Sequence, residues 1–182
     1  MKTLHNSTLE ALAQVEQLIL AFQTNNKAEL YNIPPANVMS GVGKHIRHIL
    51  DHFLAFQQGL VQGCIDYNVR HREGRLEEDP TLALDLLRDI SQWLKTKDIP
   101  DKAIDVESEI SVSQHINIRF SSSVNRELCY LVNHTIHHVA YAKLLMSLLE
   151  IELDDEIGIA PSTATYLRGE SLRGESLRGE NN

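Results

Sequence analysis

The run from Val124 to Leu149 constrains this chain more than any other stretch. It contains no glycine or proline, and on a helix it is apolar on most sides. Leu128, Val132, Ile136, Val139 and Met146 fall along one side, and Leu131, Tyr141 and Leu145 along another. A run of this length is too long for an ordinary strand. It predicts a central helix over about 124–149, with Ser122 or Ser123 as its N-cap. Inside it stand Asn133-His134-Thr135-Ile136-His137-His138. At about 100° per residue, His134 and His138 share one face, one turn apart, with His137 turned away from them. Two imidazoles placed this way can hold one metal ion if a third ligand comes from elsewhere in the fold. The apolar surroundings predict at least partial burial, which favours the neutral, metal-binding form of imidazole.

A second set of histidines, His45, His48 and His52, lies in another helical pattern, about 41 to 62, with Ser40 as its expected cap. Val42, Ile46, Ile49, Leu50, Phe53 and Leu60 form its core stripe, and the histidines form their own stripe to one side. Gly41, Ala55 and Gly59 flank that face. Small residues there admit either a closely packed helix or a ligand.

Around these two helices the remaining pattern is mostly helical. Ser7-Thr8-Leu9-Glu10 fits a capping box, with Leu12, Val15, Ile19 and Phe22 behind it, predicting a helix from about 7 to 24. Ile33-Pro34-Pro35 belongs to a connector, since proline cannot sit inside a helix. Asp79-Pro80 opens a third helix to about 95, buried through Leu82, Leu86, Ile90 and Trp93 or Leu94. Gly63 to Asp79 is polar and is expected to be loop. From Ala103 to Phe120 apolar residues alternate with polar ones, which predicts a short antiparallel hairpin. Asp154 to Thr165 is expected to be ordered coil. The end of the chain repeats Leu-Arg-Gly-Glu-Ser from Leu167 onward, with a glycine in every copy and too few apolar groups for a core. A domain over 1–166 followed by a disordered tail over 167–182 is expected.

Composition excludes several functions. The net charge is −8, from 17 basic and 25 acidic residues, which argues against a general nucleic-acid binder. No apolar run reaches the ~18 residues that a membrane span needs, and the first residues lack the apolar stretch of a signal peptide. The two cysteines, Cys64 and Cys129, form no CxxC pair. A reducing, cytoplasmic setting is expected, without a disulfide framework or zinc finger.

For the histidines the simplest alternative is a set of ordinary surface or core residues, and a third histidine on a separate helix strengthens the metal reading. Three ligands leave an open position, the pattern of a catalytic rather than a structural ion. The residues between His134 and His138 include no glutamate, so the metalloprotease motif HExxH is absent. Glu127 and Asp51 could each orient a ligand histidine through its second nitrogen, or be plain helix-surface carboxylates. Arg70, Arg72 and Arg75 could bind an anionic substrate group or be solvated loop. Cys129, alone in an apolar helix, reads as packing. There is no GxSxG, Walker A or GxGxxG.

Gly43-Lys44-His45-Ile46-Arg47-His48-Ile49-Leu50-Asp51-His52 and Asn133-His134-Thr135-Ile136-His137-His138 resemble the two signature stretches of the DinB-like four-helix-bundle superfamily. The likeness extends to Asp66-Tyr67-Asn68-Val69-Arg70-His71-Arg72, Arg126-Glu127-Leu128 and Gly158-Ile159-Ala160-Pro161-Ser162-Thr163, and is strongest to an uncharacterised branch. The resemblance implies a divalent metal held by His48, His134 and His138, with His45 and His52 as alternatives to His48. Members of that superfamily include thiol-dependent S-transferases and isomerases, and others without known activity.

The resulting expectation is an up-down four-helix bundle, mostly α, with a small hairpin inserted before the last helix. A divalent ion such as Zn, Ni or Fe would serve a thiol S-transferase-like or hydrolase-like reaction on a small substrate, in the first case a low-molecular-weight thiol. His52, Tyr67, Arg70, Arg72, Glu127 and His137 would surround the ligands or touch the substrate. The alternatives are a non-catalytic metal- or ligand-binding module and a helical interaction protein without metal. A homodimer is compatible with this bundle type.

Overall fold

The structure is a computed structural model that describes residues 2–69 and 74–169. Among the described residues are helices α1 (Lys2–Thr24), α2 (Val42–Gln62), α3 (Arg75–Glu78), α4 (Pro80–Thr96), α5 (Val124–Leu148) and α6 (Pro161–Leu167). Strands β1 (Cys64–Asp66), β2 (Ala103–Glu109) and β3 (Asn117–Ser123) complete the fold, with one 3-10 turn at Ala28–Leu30. The protein is thus mostly helical with a small mixed sheet. No described helix is long and apolar enough to cross a membrane.

Four long helices pack round one core. α1 lies against α5 and α4, and α2 lies against the same two. The stripe expected for α1 is buried throughout, with Leu12, Val15, Ile19 and Phe22 all within 1% of complete burial. α2 buries Val42, Ile46, Ile49, Leu50 and Phe53 as its periodicity predicts, and also Phe56, whereas Leu60 of the expected stripe is only half-buried. In α4 Ile90 and Leu94 are buried as expected, but the rest of the buried stripe is Ala83, Leu84 and Leu87, with Leu82, Leu86 and Trp93 at its margin.

The ends of these helices follow local chemistry, though not always the expected one. Asp79 caps α4, accepting from the backbone N–H groups of Thr81 and Leu82, and Pro80 takes the first position. Ser123 caps α5 by accepting from Arg126 N–H. The capping box at Ser7 is not formed. α1 starts earlier, and the Ser7 and Thr8 hydroxyls donate back to the carbonyls of Thr3 and Leu4 inside the helix. Ser40 does not cap α2 either; Gly41 is its N-cap residue, and the Ser40 hydroxyl pairs with His45.

The predicted hairpin is present as β2 and β3, antiparallel with Val106 opposite Phe120 and Ile104 opposite Ser122. The supposed loop before α4 corrects the expectation. It contains β1, which pairs parallel to β2 with Ile65 opposite Val106, and the short helix α3. Both Ile65 and Val106 are buried, so β1 is fixed by a single apolar anchor against the core.

Two of the small residues beside the histidine stripe, Gly41 and Gly59, are explained by packing. A Cβ on Gly59 would lie 2.4 Å from Ile65 Cγ1 and 2.6 Å from Ile65 Cα, and one on Gly41 would lie 2.5 Å from the Asn32 carbonyl oxygen. The chain itself, and not a ligand, occupies that space.

α5 is not apolar on all sides. Arg126, Cys129, Asn133, His137, Ala140, Tyr141 and Leu144 form an exposed face. Beyond it, Lys27 Nζ donates to the Leu149 and Glu150 carbonyls and Lys143 Nζ to those of Asp154 and Asp155, so two ammonium groups hold the turn after α5. Ile151 and Ile157 return to the core. Gly158, at φ 79°, lies against the Ala140 backbone and donates its N–H to Gln14 Oε1. The segment expected as coil to Thr165 becomes helix α6 from Pro161. The repeat beyond residue 169 lies outside the described residues.

Candidate metal centre

The packing of α2 on α5 joins the two histidine stripes. His48 Nε2 and His134 Nε2 lie 3.1 Å apart. His52 completes the group: one donor nitrogen from each of His48, His52 and His134 lies within 4.8 Å of the other two. Their rings are tightly nested, with centroids 4.2 Å apart for His52 and His134 and 4.4 Å for His48 and His52. His52 is 6% exposed, and the other two are half-buried.

The tautomer of His52 follows from its partner. Its Nδ1 lies 2.9 Å from the His48 carbonyl oxygen, and a carbonyl only accepts. Nδ1 therefore carries the proton, and Nε2 is the lone-pair nitrogen of the neutral ring. This is how metal-ligating histidines are commonly oriented, through a hydrogen bond at the other nitrogen. In a tetrahedral site with metal–nitrogen bonds of about 2.0–2.1 Å, two ligand nitrogens stand roughly 3.3 Å apart. The His48–His134 separation matches that bite closely. With His52 within 4.8 Å of both, the three imidazoles form a donor set that could hold a divalent ion.

Each helix also contributes a histidine one turn along. His138 sits with its ring centroid 4.6 Å from those of both His48 and His134. Its Nδ1, however, faces His45 Nδ1 at 3.2 Å. The other nitrogen of His45 is 3.0 Å from Ser40 Oγ, and the Tyr141 ring packs 4.7 Å from the His45 ring. Burial, and then the neighbouring His134, His45 and His137, push the His138 pKa down to about 4. Burial is also the main cause that lowers His45, with Lys44 and His137 adding to it. His137 itself is exposed on the outer face of α5.

A layer of tyrosines backs the group. Tyr67, just after β1, stacks on His52 at 5.3 Å, and Tyr130 of α5 stacks on His134 at the same distance. The Tyr67 hydroxyl donates to Glu127 Oε2 at 2.9 Å, while Glu127 Oε1 accepts from Ser122 Oγ and Arg126 Nη1. Glu127 is completely buried. It is neither a surface carboxylate nor, in its hydrogen bonds to these three residues, a direct partner of a ligand histidine. Its reach to the site runs through Tyr67, whose hydroxyl pKa is raised by burial first and by the Glu127 charge next. The Arg126 guanidinium lies 5.5 Å over the Tyr130 ring. Asp51 is buried as well, at 2% exposure, and so is no surface carboxylate. Cys129 is exposed rather than packed.

Of the residues singled out in the sequence, His48, His134, His52 and Tyr67 come together, with Glu127 behind them. Arg70 and Arg72 lie outside the described residues, and Arg75 is exposed on α3. The spacing of His52 makes it a candidate for the convergent group without choosing it over His45 or His138. His48 and His52 form their own i, i+4 pair on α2, the counterpart of His134 and His138 on α5.

No protein-family model matches the chain, and no solved structure matches it. A segment of 106 residues, 57% of this chain, is 28% identical to FK506-binding protein 5 of Rhizopus delemar. The matched segment covers 28% of that protein, so the chain spans little more than a quarter of the relative's length, and the likeness assigns no family.

Proposed function

We propose that this chain is a metal-dependent enzyme of the DinB-like type, an up-down bundle of α1, α2, α4 and α5 carrying one catalytic divalent ion between α2 and α5. The observation that carries it is the convergence of His48, His52 and His134 within 4.8 Å from two helices that are distant in sequence. Two of these are ligands that the family resemblance implies, and His52 is favoured over His138 as the third because its Nδ1 is tied to a carbonyl. Three imidazoles suit Zn, Ni or Fe among the available divalent ions. A metal with an open coordination position lowers the pKa of a bound thiol or water and so supplies a nucleophile near neutral pH.

The protein's own residues would then shape and dry the site. Tyr67 and Tyr130 wall two of the imidazoles, which restricts ring rotation and water access. Arg126, exposed above Tyr130 and paired with Glu127 through Nη1, would offer its remaining N–H groups to an anionic group on an incoming substrate. That combination favours a small thiol bearing a carboxylate, in an S-transferase-like reaction, over a large polymeric substrate. The test is turnover of the metal-loaded protein in a screen of low-molecular-weight thiols against electrophilic acceptors. Loss of turnover in His52→Ala with retained folding supports the proposal. Stable metal binding with no turnover across the screen would favour a binding module instead.

A further inference from the structure

We propose that His45 and His138 form a second cation site, one helical turn along the same groove and distinct from the His48–His52–His134 centre. Their Nδ1 atoms come from different helices and share a hydrogen bond at 3.2 Å, which an ion bound by both lone pairs would replace. That separation is close to the roughly 3.3 Å bite of two nitrogens on one tetrahedral ion, and nearly the same as the 3.1 Å between His48 and His134. One geometric device therefore occurs twice along the α2–α5 contact.

The pair also has the supporting parts a ligand pair needs. Ser40 Oγ, 3.0 Å from His45 Nε2, engages the nitrogen that would not face the ion. The Tyr141 ring packs on one side of His45, and the His138 ring is flanked by those of His48 and His134. Both rings are held, and both are half-buried. The site takes a borderline divalent cation that prefers imidazole, such as Zn, Ni or Cu. With two protein ligands, and with Lys44 close enough to oppose added positive charge at His45, it binds more weakly than the three-histidine centre.

Chelator-stripped full-length protein titrated calorimetrically with Zn²⁺ separates the two sites. The expected wild-type result is two equivalents of unequal affinity. His45→Ala and His138→Ala should each remove only the weaker one, or weaken it by at least about tenfold, a change of ~1.4 kcal/mol. His52→Ala should remove the tight one, and His137→Ala neither. A single wild-type equivalent overturns the second site, as does a weaker equivalent that survives both His45→Ala and His138→Ala. Loss of the tight equivalent in His138→Ala but not in His45→Ala also overturns it, by assigning His138 to the first ion. Should a variant fail to fold, crystals of the wild-type protein soaked in CoCl₂ give the same decision. An anomalous peak between the two Nδ1 atoms is expected, and its absence contradicts the proposal.

Discussion

His48 and His134, 86 residues apart in the chain, bring their Nε2 atoms to 3.1 Å across the contact between α2 and α5. Nothing local to either helix imposes that distance. It results from two amphipathic stripes, both buried in the same core, being rotated so that their histidines meet at its edge.

The buried carboxylate behind this group should matter for stability as well as for the site. Glu127 accepts hydrogen bonds from Tyr67, Ser122 and Arg126 with no exposed surface. Tyr67→Phe removes one donor and leaves a buried acceptor less well satisfied, for a loss of about 1–3 kcal/mol in urea denaturation. Tyr67→Ala should cost more, since it also removes the ring stacked on His52, and should weaken metal binding where Tyr67→Phe largely preserves it.

Gly59 tests the close approach of β1 to α2. Gly59→Ala places a methyl group against Ile65 backbone and side chain, which cannot yield without moving the strand. A loss of roughly 1–3 kcal/mol is expected, typical of an overpacked contact. Gly74→Ala, where an added Cβ meets nothing within 4 Å, is the control and should have little effect through contacts.

Much of the fold was legible because the long helices carry strong periodic patterns and recognisable stops. Asp79-Pro80 announced α4, and alternation announced β2 and β3. β1 was not legible: three residues in a polar stretch have no period, and Ile65 is buried only because Val106 waits beside it in the folded state. For the same reason Glu127 could not be recognised as buried, since Tyr67 reaches it from 60 residues away. At the site, His48 and His134 were legible as members of two facing stripes. Spacing alone could not say which of His45, His52 and His138 joins them, because a helix can roll by a fraction of a turn without disturbing its apolar pattern. The hydrogen bond from His52 to the His48 carbonyl and the His45–His138 contact are properties of one particular roll.

The metal-free protein should lose stability in mildly acidic solution. The His138 pKa falls from 6.5 to about 4 on folding. Between those values the unfolded chain binds a proton that the folded chain does not. The stabilising contribution is therefore complete above ~6.5 and declines as pH falls toward 4. Urea midpoints of chelator-treated protein across that range should drop with pH, and His138→Gln should flatten the slope. Unchanged slope in that variant would assign the effect to other groups.

The central claim is most directly tested by metal content. Full-length protein, and its His48→Ala, His52→Ala and His134→Ala variants, would be reconstituted with Zn²⁺, dialysed to remove weakly held ions and assayed by elemental analysis, with His137→Ala as the control. The account predicts one tightly held ion in the wild type and in His137→Ala, and its loss from each of the other three while they remain folded. Equal metal content in wild type and His52→Ala, or no retained metal in the folded wild type, would contradict it.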